Sequence, residues 1–567
     1  MQKSKIAYPI LSRKNSIKTT YLILFFYLLH FSSCTYYLGP NKWEKTFPKE
    51  ANIFPTQNYN TLKNAINPVD FLGSELADFS NKNYIIYSDK FKDTILDVRV
   101  VFANLLLGKN IEQINADIQK FKAWGTTGTS SILNKKGDYD FSEIQWINIV
   151  YYFKDKPEIL HPATARHIIN HLIIDNGFKP KIKAPKTLGI IRETENHILM
   201  KETSRYLKNQ WIFTLQNHDE KYDNSKNGMD DFLIHHLQEM LKTGFFEFNA
   251  NPYISYTIEA LLILREHTDN TEIKNLCTKI LDAENWQYVL GSFNMKKYSP
   301  FRRRMSRVSI TNLTGDRHGA LMKIEWAKYH KIPLSEAQLS CCFDKALVLA
   351  TSSYILPAQT ESFLFNKPNA YYAKIGHGLK SSPEIYYGTP NFLLSAGGLR
   401  FGKKSQIVPR PTTLFLNDNV KEINDCFYIA GKGVLNQWNN TGVYQNFAVG
   451  NQPVNIPTQY TIYEKIGNWN IYKTKEENPV FVCVYNSKNF GVIYVSQNEN
   501  YKTILKQNSI LNKKKDEFLL ENNQRVSYNL SNKKKWIITQ INDTKTDKYF
   551  KNWKRFDVKF YKTNSTY

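Results

Sequence analysis

The spacing of apolar residues divides the chain into two parts. In the first part they recur every three or four positions, which places them on one face of a helix. This spacing occurs in the segments 97–107, 141–153, 165–174, 229–241, 257–264 and 273–281. Each such helix needs a partner for its apolar face, so we predict helix-on-helix packing over residues 61–340. No repeat is regular enough to indicate a named helical-repeat family.

From residue 341 the apolar positions become short runs of β-branched and aromatic residues, interrupted by Gly, Pro and Asn. Such runs predict strands joined by turns. They occur at 371–375, 407–416, 480–485, 491–495, 536–539 and 558–561. Because the strands follow the helices and do not alternate with them, Rossmann and TIM-barrel architectures are excluded. We therefore expect an α+β multidomain protein, with a helical domain at 61–340 and an antiparallel β-sandwich at 341–567.

The first 33 residues have the layout of a secretory signal peptide. Basic residues precede an apolar run at 21–29, which is short for a membrane span. The segment Phe31-Ser32-Ser33-Cys34 then resembles a bacterial lipobox, whose cysteine is acylated. This resemblance implies a lipoprotein of the bacterial cell envelope, anchored to a membrane through Cys34, with a linker at 34–60. An ordinary cleaved secretory signal and a retained N-terminal anchor are the alternatives.

Composition and charge narrow the class of protein. The chain has 567 residues and is 42% hydrophobic, enough for two cores, since single cores stop growing at about 250–300 residues. A formal net charge of +24 favours an acidic partner, although the richness in Lys, Asn, Ile and Tyr also fits an A/T-rich genome. The cysteines after Cys34 show no metal-binding or redox spacing, so we expect buried thiols. No nucleic-acid motif is present, and we expect no nucleic-acid partner.

Three residues carry the candidate chemistry. Asn196 and His197 form a pair at the start of an amphipathic helix, and Tyr256 follows in the aromatic segment 245–256. The order Asn-His, then Tyr, then a β domain resembles the polysaccharide lyases built from an α/α toroid and an antiparallel β-sandwich. That group includes alginate, chondroitin AC and hyaluronate lyases and heparinase II/III-like proteins. The resemblance covers residues 190–420 and implies that the helical domain is an α/α toroid, an incomplete helical barrel.

Enzymes of this group cleave uronic-acid polysaccharides by β-elimination, and the resemblance implies a role for each residue. Asn196 would donate to the substrate carboxylate and neutralise it. His197 is either a second donor or the base, because imidazole titrates near neutral pH. Tyr256 is expected to transfer the proton, with Tyr253 as its substitute one turn earlier. A phenol acts as a base where cations favour its ionised form, and the segment 245–256 contains no arginine.

A basic, loop-rich stretch near the end of the helical domain and glycine-rich turns in the β domain, predicted at 376–378, 382–389 and 396–400, supply candidate substrate contacts. Guanidinium groups bind carboxylates and sulfates through paired hydrogen bonds. The predicted substrate-binding residues are Arg192, Asn249, Asn251, Arg303, Arg307, Arg317, His318, His377, Arg400 and Arg410. The alternative interpretation of the arginines is an interdomain ion-pair network or a basic surface.

Other reaction classes have less support. The chain lacks a nucleophile elbow, a P-loop, a zincin motif and a dinucleotide-binding glycine motif, and we expect no metal or other cofactor. Besides a lyase acting on an acidic polysaccharide, two functions stay open. One is a glycoside hydrolase on an α/α toroid, and the other is a non-catalytic glycan-binding or structural lipoprotein. The hydrolase would draw a carboxylate pair from Glu193, Glu195, Glu202 and Glu247.

Overall fold

The computed structural model describes residues 66–88, 93–124, 137–184, 192–303, 313, 316–334, 342–365, 367, 369–378, 382–398, 407–416, 420–431, 440–512, 516–532 and 535–561. The predicted signal peptide, Cys34, the linker, Arg307 and Arg400 lie outside these residues. Across the described ranges, no helix combines the length and the apolar character needed to cross a bilayer.

Helices make up most of the described chain up to residue 365, and they confirm the predicted helical segments. Asp97 caps one of them by accepting a hydrogen bond from the amide of Arg99. Such caps satisfy backbone donors that the first turn of a helix leaves open. The helices are α1 (Pro68–Ser80), α2 (Val98–Leu106), α3 (Ile111–Ile118), α4 (Asp140–Tyr152), α5 (Pro162–His167), α6 (Glu195–Ile212), α7 (Asn224–Asn227), α8 (Met229–Thr243), α9 (Tyr253–His267), α10 (Thr271–Leu290), α11 (Arg317–Tyr329), α12 (Phe343–Thr351), α13 (Ala358–Phe365) and α14 (Tyr501–Gln507).

The helical region has one hydrophobic core. Helix α6 packs against α4 and α9, and α9 also packs against α10 and α12. The side chains of Phe102, Leu207 and Leu261 in this core are fully buried. Helices α12 and α13 lie beyond residue 340, the predicted end of the helical domain, and their apolar residues belong to the same core. The helical core therefore extends to Phe365.

After residue 365 the described chain is mainly antiparallel sheet, as the strand pattern predicts, and it also contains helix α14. The strands are β1 (Ile85–Ser88), β2 (Asp93–Leu96), β3 (Ser292–Phe293), β4 (Lys296–Lys297), β5 (Phe301–Arg302), β6 (Tyr371–Ile375), β7 (Glu384–Gly388), β8 (Phe392–Gly397), β9 (Ile407–Val408), β10 (Thr412–Leu416), β11 (Phe427–Ile429), β12 (Val443–Tyr444), β13 (Phe447–Gly450), β14 (Val454–Asn455), β15 (Glu464–Ile466), β16 (Trp469–Lys473), β17 (Phe481–Ser487), β18 (Phe490–Ser496), β19 (Asp516–Leu519), β20 (Arg525–Tyr528), β21 (Ile538–Ile541), β22 (Thr544–Lys545) and β23 (Phe556–Phe560). The larger sheets have the orders β14-β11-β10-β8-β7-β6-β23, β12-β13-β18-β17-β16-β15 and β19-β20-β21-β22.

The central strands of the seven-stranded sheet are buried on both faces. Successive residues of a strand point to opposite faces. Along β6, Tyr371, Ala373 and Ile375 join the helical core. Tyr372, which lies between them, joins a second core that the six-stranded sheet shares and in which Trp469 is fully buried. The seven-stranded sheet therefore connects the helical region to the remaining sheets.

Candidate active site

The predicted Asn-His pair lies in the first turn of α6, and His197 has a carboxylate partner there. Its Nδ1 lies 2.5 Å from Oδ2 of Asp140, the first residue of α4. The side chain of Asp140 is 1% exposed and that of His197 is 13% exposed. Burial by itself lowers the pKa of His197, but the charge and hydrogen bond of Asp140 outweigh it and raise this pKa to about 9. His197 is therefore an imidazolium at neutral pH, able to donate from both ring nitrogens.

The ring of Phe141 contacts the rings of both His197 and Tyr256. Its centroid lies 5.2 Å from that of His197 and 4.6 Å from that of the Tyr256 ring, both in edge-to-face geometry. Phe141 follows Asp140 on α4, so one helix supplies both the carboxylate and the connecting ring. Helices α4, α6 and α9 all pack against one another. The packing of these helices thus brings the predicted histidine and tyrosine to one place.

A lysine covers the ring of Tyr256. The Nζ of Lys345, on α12, lies 4.2 Å from the centroid of this ring. Lys345 is buried, and it forms ion pairs with Glu259 and, at 3.6 Å, with Asp344. Burial by itself lowers the pKa of Lys345, but the charges of Glu259 and Asp344 outweigh it and leave this pKa raised. Lys345 is therefore a fixed positive charge against Tyr256.

A second cation, Arg99 on α2, also interacts electrostatically with Tyr256. Its guanidinium lies 2.8 Å from Asp97 and 3.5 Å from Asp344. The side chain is 44% exposed, so the charge next to Tyr256 reaches solvent on this side. Arg99 and Lys345 are both distant from Tyr256 in sequence, and no local signal pointed to them. We call the following group the Phe141 site: Arg99, Asp140, Phe141, Asn196, His197, Tyr256 and Lys345.

Asn196 presents a buried donor next to His197. The residue is 1% exposed, and its Oδ1 accepts a hydrogen bond of 2.9 Å from the hydroxyl of Thr194, which orients the amide. In the part of the chain that the structure describes, nothing accepts a hydrogen bond from its Nδ2. Leaving a buried donor unsatisfied costs about 1–3 kcal/mol, so this amide keeps an unused hydrogen-bond donor.

Tyr253, in the first turn of α9, lies against an arginine. The guanidinium carbon of Arg303 is 4.3 Å from the centroid of the Tyr253 ring, and its Nη1 is 2.8 Å from Glu247. The neighbouring Arg302 is not among the predicted substrate-binding residues. Its guanidinium carbon lies 3.6 Å from the centroid of the Phe246 ring, and the residue is 5% exposed. Its Nε and Nη1 have no hydrogen-bond partner among the described residues. Two arginines therefore line the aromatic segment 245–256.

Two of the predicted substrate-binding residues lie in a buried seam between the helical region and the seven-stranded sheet. Asn249 donates to Glu384 at 2.7 Å, and Nε2 of His377 lies 2.9 Å from the same carboxylate oxygen. The ring of His377 also stacks on Phe248, with centroids 3.8 Å apart. Burial by itself raises the pKa of Glu384, but the hydrogen bond and charge of His377 outweigh it and lower this pKa to about 2. These contacts join the two regions.

Three further predicted residues have different surroundings. Arg317 begins α11. Burial by itself raises the pKa of Asp344, but nearby cations, Arg317 among them, outweigh it and lower this pKa. Arg317 therefore belongs near the Phe141 site. Arg192 is exposed and pairs through a β-bridge with Lys183, and Asn251 is half-buried just before α9.

The last two described candidates are internal. Nε2 of His318 lies 3.1 Å from Oδ1 of Asn285, and burial lowers the pKa of this histidine well below its usual range. The guanidinium carbon of Arg410 lies 3.8 Å from the centroid of the Tyr298 ring, and Arg410 is buried. Both residues thus pack inside the protein, against partners from the helical region.

The four glutamates considered for a hydrolase pair are each engaged by a neighbouring group. The pairs are Glu193 with Lys201, Glu195 with the amide of Phe246, Glu202 with Arg205, and Glu247 with Arg303. A glycoside hydrolase needs one protonated and one ionised carboxyl group on either side of the bond that it cleaves. Burial outweighs the charge of Arg205 and raises the pKa of Glu202, but this side chain is fully buried, so it is not an evident acid for a substrate.

Comparisons with known proteins add no relative. A scan against models of protein families finds no match for this chain, and a search of curated proteins finds none either. Over the residues that the structure describes, no cluster of three or more His, Cys, Asp or Glu is placed to hold a metal ion. The function must therefore be inferred from the geometry of the site.

Proposed function

We propose that this protein is a polysaccharide lyase that cleaves an acidic, uronic-acid-containing polymer by β-elimination. The observation that supports this most strongly is the Phe141 site. There an imidazolium, His197, and a phenol, Tyr256, contact one ring, and two cations lie next to the phenol. β-Elimination needs donors for the substrate carboxylate and a group that takes one proton and returns one.

Tyr256 is the proposed proton-transfer group. As a phenolate it takes the proton from C5 of the uronate, and the electron pair of that C–H bond forms the C4–C5 double bond. The bond between C4 and the glycosidic oxygen breaks, and its electrons go to the leaving oxygen. That oxygen receives the proton from the hydroxyl of Tyr256, which regenerates the phenolate. The step balances without any further reactant.

His197 and Asn196 are the proposed donors to the uronate carboxylate. Because the pKa of His197 is raised to about 9, we assign it the donor role and not that of the base. The Nδ2 of Asn196 is the second donor, and it adds no competing charge. Withdrawal of charge from the carboxylate stabilises the enolate-like transition state.

Lys345 and Arg99 are proposed to stabilise the negative charge that proton transfer places at Tyr256 and the uronate. They replace the nearby arginine that the segment 245–256 lacks. Arg302 and Arg303, along the same segment, are proposed to bind neighbouring anionic groups of the polymer. Each role is thus assigned to a described side chain.

The proposal includes the finer architecture that the resemblance implies. The helices would form an α/α toroid, and the sheets behind the seven-stranded sheet would complete an antiparallel β-sandwich. The order of helices followed by antiparallel strands supports this assignment. The proposal also includes a lipid anchor at Cys34 and a place in the bacterial cell envelope, where such an enzyme meets extracellular polysaccharide.

The test is the ultraviolet absorbance of the unsaturated uronate product. The mature chain is incubated with alginate, hyaluronate, chondroitin and heparin. We expect absorbance to rise on one of them, and His197→Ala and Tyr256→Phe to abolish the rise. Tyr463→Phe is the matched control, because Tyr463 is an exposed tyrosine with Lys473 5.1 Å from its ring centroid in the β region. This variant should keep full activity.

Three other outcomes would contradict the lyase proposal or indicate another function. A flat trace on every uronate, from folded protein, contradicts the lyase proposal. New reducing ends without a rise in absorbance would indicate the hydrolase. Bound polymer with neither signal would indicate the non-catalytic glycan-binding protein.

A further inference from the structure

An exposed tyrosine shortly before β23 is surrounded by lysines. Tyr549 is 40% exposed. The Nζ atoms of Lys535, Lys548 and Lys551 lie 5.4, 5.3 and 5.8 Å from the centroid of its ring. We call these four residues the Tyr549 platform. It combines one accessible aromatic ring with three positive charges, each in the range of a cation–π contact.

The backbone that carries the platform is held in place by Asp547. Its Oδ1 accepts a hydrogen bond of 3.1 Å from the amide of Tyr549, and its Oδ2 accepts one of 2.9 Å from the amide of Asn552. Phe550 adopts a left-handed conformation with φ of 56°, which is rare for a bulky residue. Its side chain is buried in the second core. The turn therefore directs one ring inward and leaves Tyr549 outside.

An aromatic cluster supports the turn from below. The ring centroid of Phe550 lies 4.7 Å from that of Trp553 and 6.2 Å from that of Trp536. Lys374, on β6, places its Nζ 5.5 Å from the centroid of Trp553 and forms an ion pair of 2.6 Å with Asp557. Packed side chains of the sheet region therefore support the turn that carries the platform.

Two of the platform lysines, Lys548 and Lys551, have no carboxylate partner among the described residues. Both of these side chains are exposed. Both carboxylate oxygens of Asp547 already accept backbone amides. A cluster of one sign of charge concentrates ions of the opposite sign. The chemistry of the platform therefore selects a polyanion.

We infer that the Tyr549 platform is a second binding site for an acidic polysaccharide. The C–H face of one sugar ring would stack on Tyr549, and carboxylate or sulfate groups on this sugar and its neighbours would pair with Lys548 and Lys551. A membrane surface would bury a broad apolar face, whereas the platform exposes one ring. Single-stranded nucleic acid would use several successive aromatic rings. The platform has neither feature.

This inference goes beyond the proposed function. The contacts of the platform lie within residues 535–553 and include no residue of the Phe141 site. It therefore gives the sheet region a function of its own, namely to hold a polymer on the protein. That function does not depend on whether the Phe141 site performs an elimination.

The test measures binding of alginate, of heparin and of neutral dextran to the mature chain carrying His197→Ala, so that elimination does not shorten the polymers. We expect binding of an anionic polymer and none of dextran. Tyr549→Ala should weaken that binding about tenfold, and so should Lys548→Gln combined with Lys551→Gln. Bound polymer should also protect Lys548 and Lys551 from amine acylation, as mass spectrometry of the unsubstituted platform will show.

Matched controls distinguish the effect of the platform substitutions from that of losing positive charge or an exposed aromatic ring elsewhere. Tyr463→Ala removes a ring that is 52% exposed, and Lys465→Gln with Lys488→Gln removes two exposed lysines elsewhere. Both controls should bind like the parent. Equal weakening by the two lysine pairs overturns the inference, and so does unchanged acylation of Lys548 and Lys551. Tighter binding of anionic phospholipid vesicles or of an oligonucleotide overturns it as well.

The binding assay and the lyase assay can each contradict one proposal without contradicting the other. Loss of the unsaturated product in every condition, with platform binding intact, would contradict only the proposed lyase. Normal product formation with no effect of the platform substitutions on binding would contradict only the Tyr549 platform.

Discussion

Tyr256 and Tyr549 both have lysines against their rings, but the positive charge is balanced differently in the two places. Lys345, beside Tyr256, is buried and paired with Glu259. Lys548, beside Tyr549, is at the surface and has no carboxylate partner among the described residues. A charge removed from water needs a counter-charge, whereas water itself stabilises an exposed one. The half-buried Tyr256 thus lies in a fixed arrangement suited to proton transfer, and the exposed Tyr549 lies in a positive field suited to capturing a polyanion.

The largest effect should come from removing the buried cation. Lys345→Met leaves Glu259 without its partner in a place where the carboxylate is 2% exposed. Breaking a buried ion pair on one side costs about 3–5 kcal/mol, so we expect the free energy of unfolding to fall by that amount. Urea denaturation will measure it.

Two companion variants show whether this loss comes from the unpaired carboxylate. Lys345→Met combined with Glu259→Leu should lose less stability than Lys345→Met alone, because no unpaired charge is left. Lys548→Met should be close to neutral. If Lys345→Met were also neutral, the contrast between the two tyrosine environments would be wrong.

The next effect is a pH dependence of stability from the ion pair of the Phe141 site. The pKa of His197 is about 9 in the folded protein against an ordinary value of 6.5. A raised pKa means that the stabilisation is complete below about pH 6.5 and is lost as the pH rises through 9. The loss should total roughly 3 kcal/mol.

Denaturation curves at a series of pH values, compared with those of Asp140→Asn, isolate this contribution. The variant removes the charge that raises the pKa of His197, so its stability should lack this decline between neutral and alkaline pH. An identical decline in both proteins would show that His197 is not the group responsible.

A smaller effect should follow from the half-exposed cation of the site. Arg99→Gln removes one positive charge next to Tyr256, and this charge would otherwise stabilise the negative charge of the proposed transition state. We expect kcat to fall about tenfold, corresponding to about 1.4 kcal/mol. An unchanged kcat would remove Arg99 from the proposed mechanism.

The smallest effect on stability belongs to the platform. Lys548→Gln with Lys551→Gln should change the free energy of unfolding by less than about 0.5 kcal/mol, because exposed charges without partners contribute little. The same variant should bind the anionic polymer about tenfold more weakly. Calorimetry and binding measurements on one preparation will show whether binding changes while stability does not.

Much of the fold was accessible from the sequence. The three- to four-residue period predicted α4 and α9, and the apolar runs predicted β6 and β17. The segment 382–389 was interpreted as glycine-bounded turns, yet Glu384–Gly388 is strand β7 in the middle of the seven-stranded sheet. The glutamate and the glycine at the ends of this strand do not fit an apolar strand pattern. The carboxylate of Glu384 accepts hydrogen bonds from Asn249 and Gln287 of the helical region. Such long-range partners leave no trace in a local pattern.

The residues of the candidate site were also predicted only in part. Asn196, His197 and Tyr256 were identified because a short motif and a helical position are local properties. Lys345, on α12, was not identified, and it lies beyond the predicted end of the helical domain. Among the proposed contacts, Asn249 and His377 lie in the interdomain seam, where burial makes their hydrogen bonds to Glu384 structural.

The sequence by itself determined the order of helices and strands and the residue types available for acid–base chemistry, because periodicity and motif spacing are written along the chain. Only the tertiary structure decided that Asp140 raises the pKa of His197 and that Lys345 covers the ring of Tyr256. It also decided that Lys548 and Lys551 have no carboxylate partner among the described residues, whereas Lys345 is paired with Glu259. The reason is physical: the free energy of a charge depends on its solvent and its neighbours, and folding sets both.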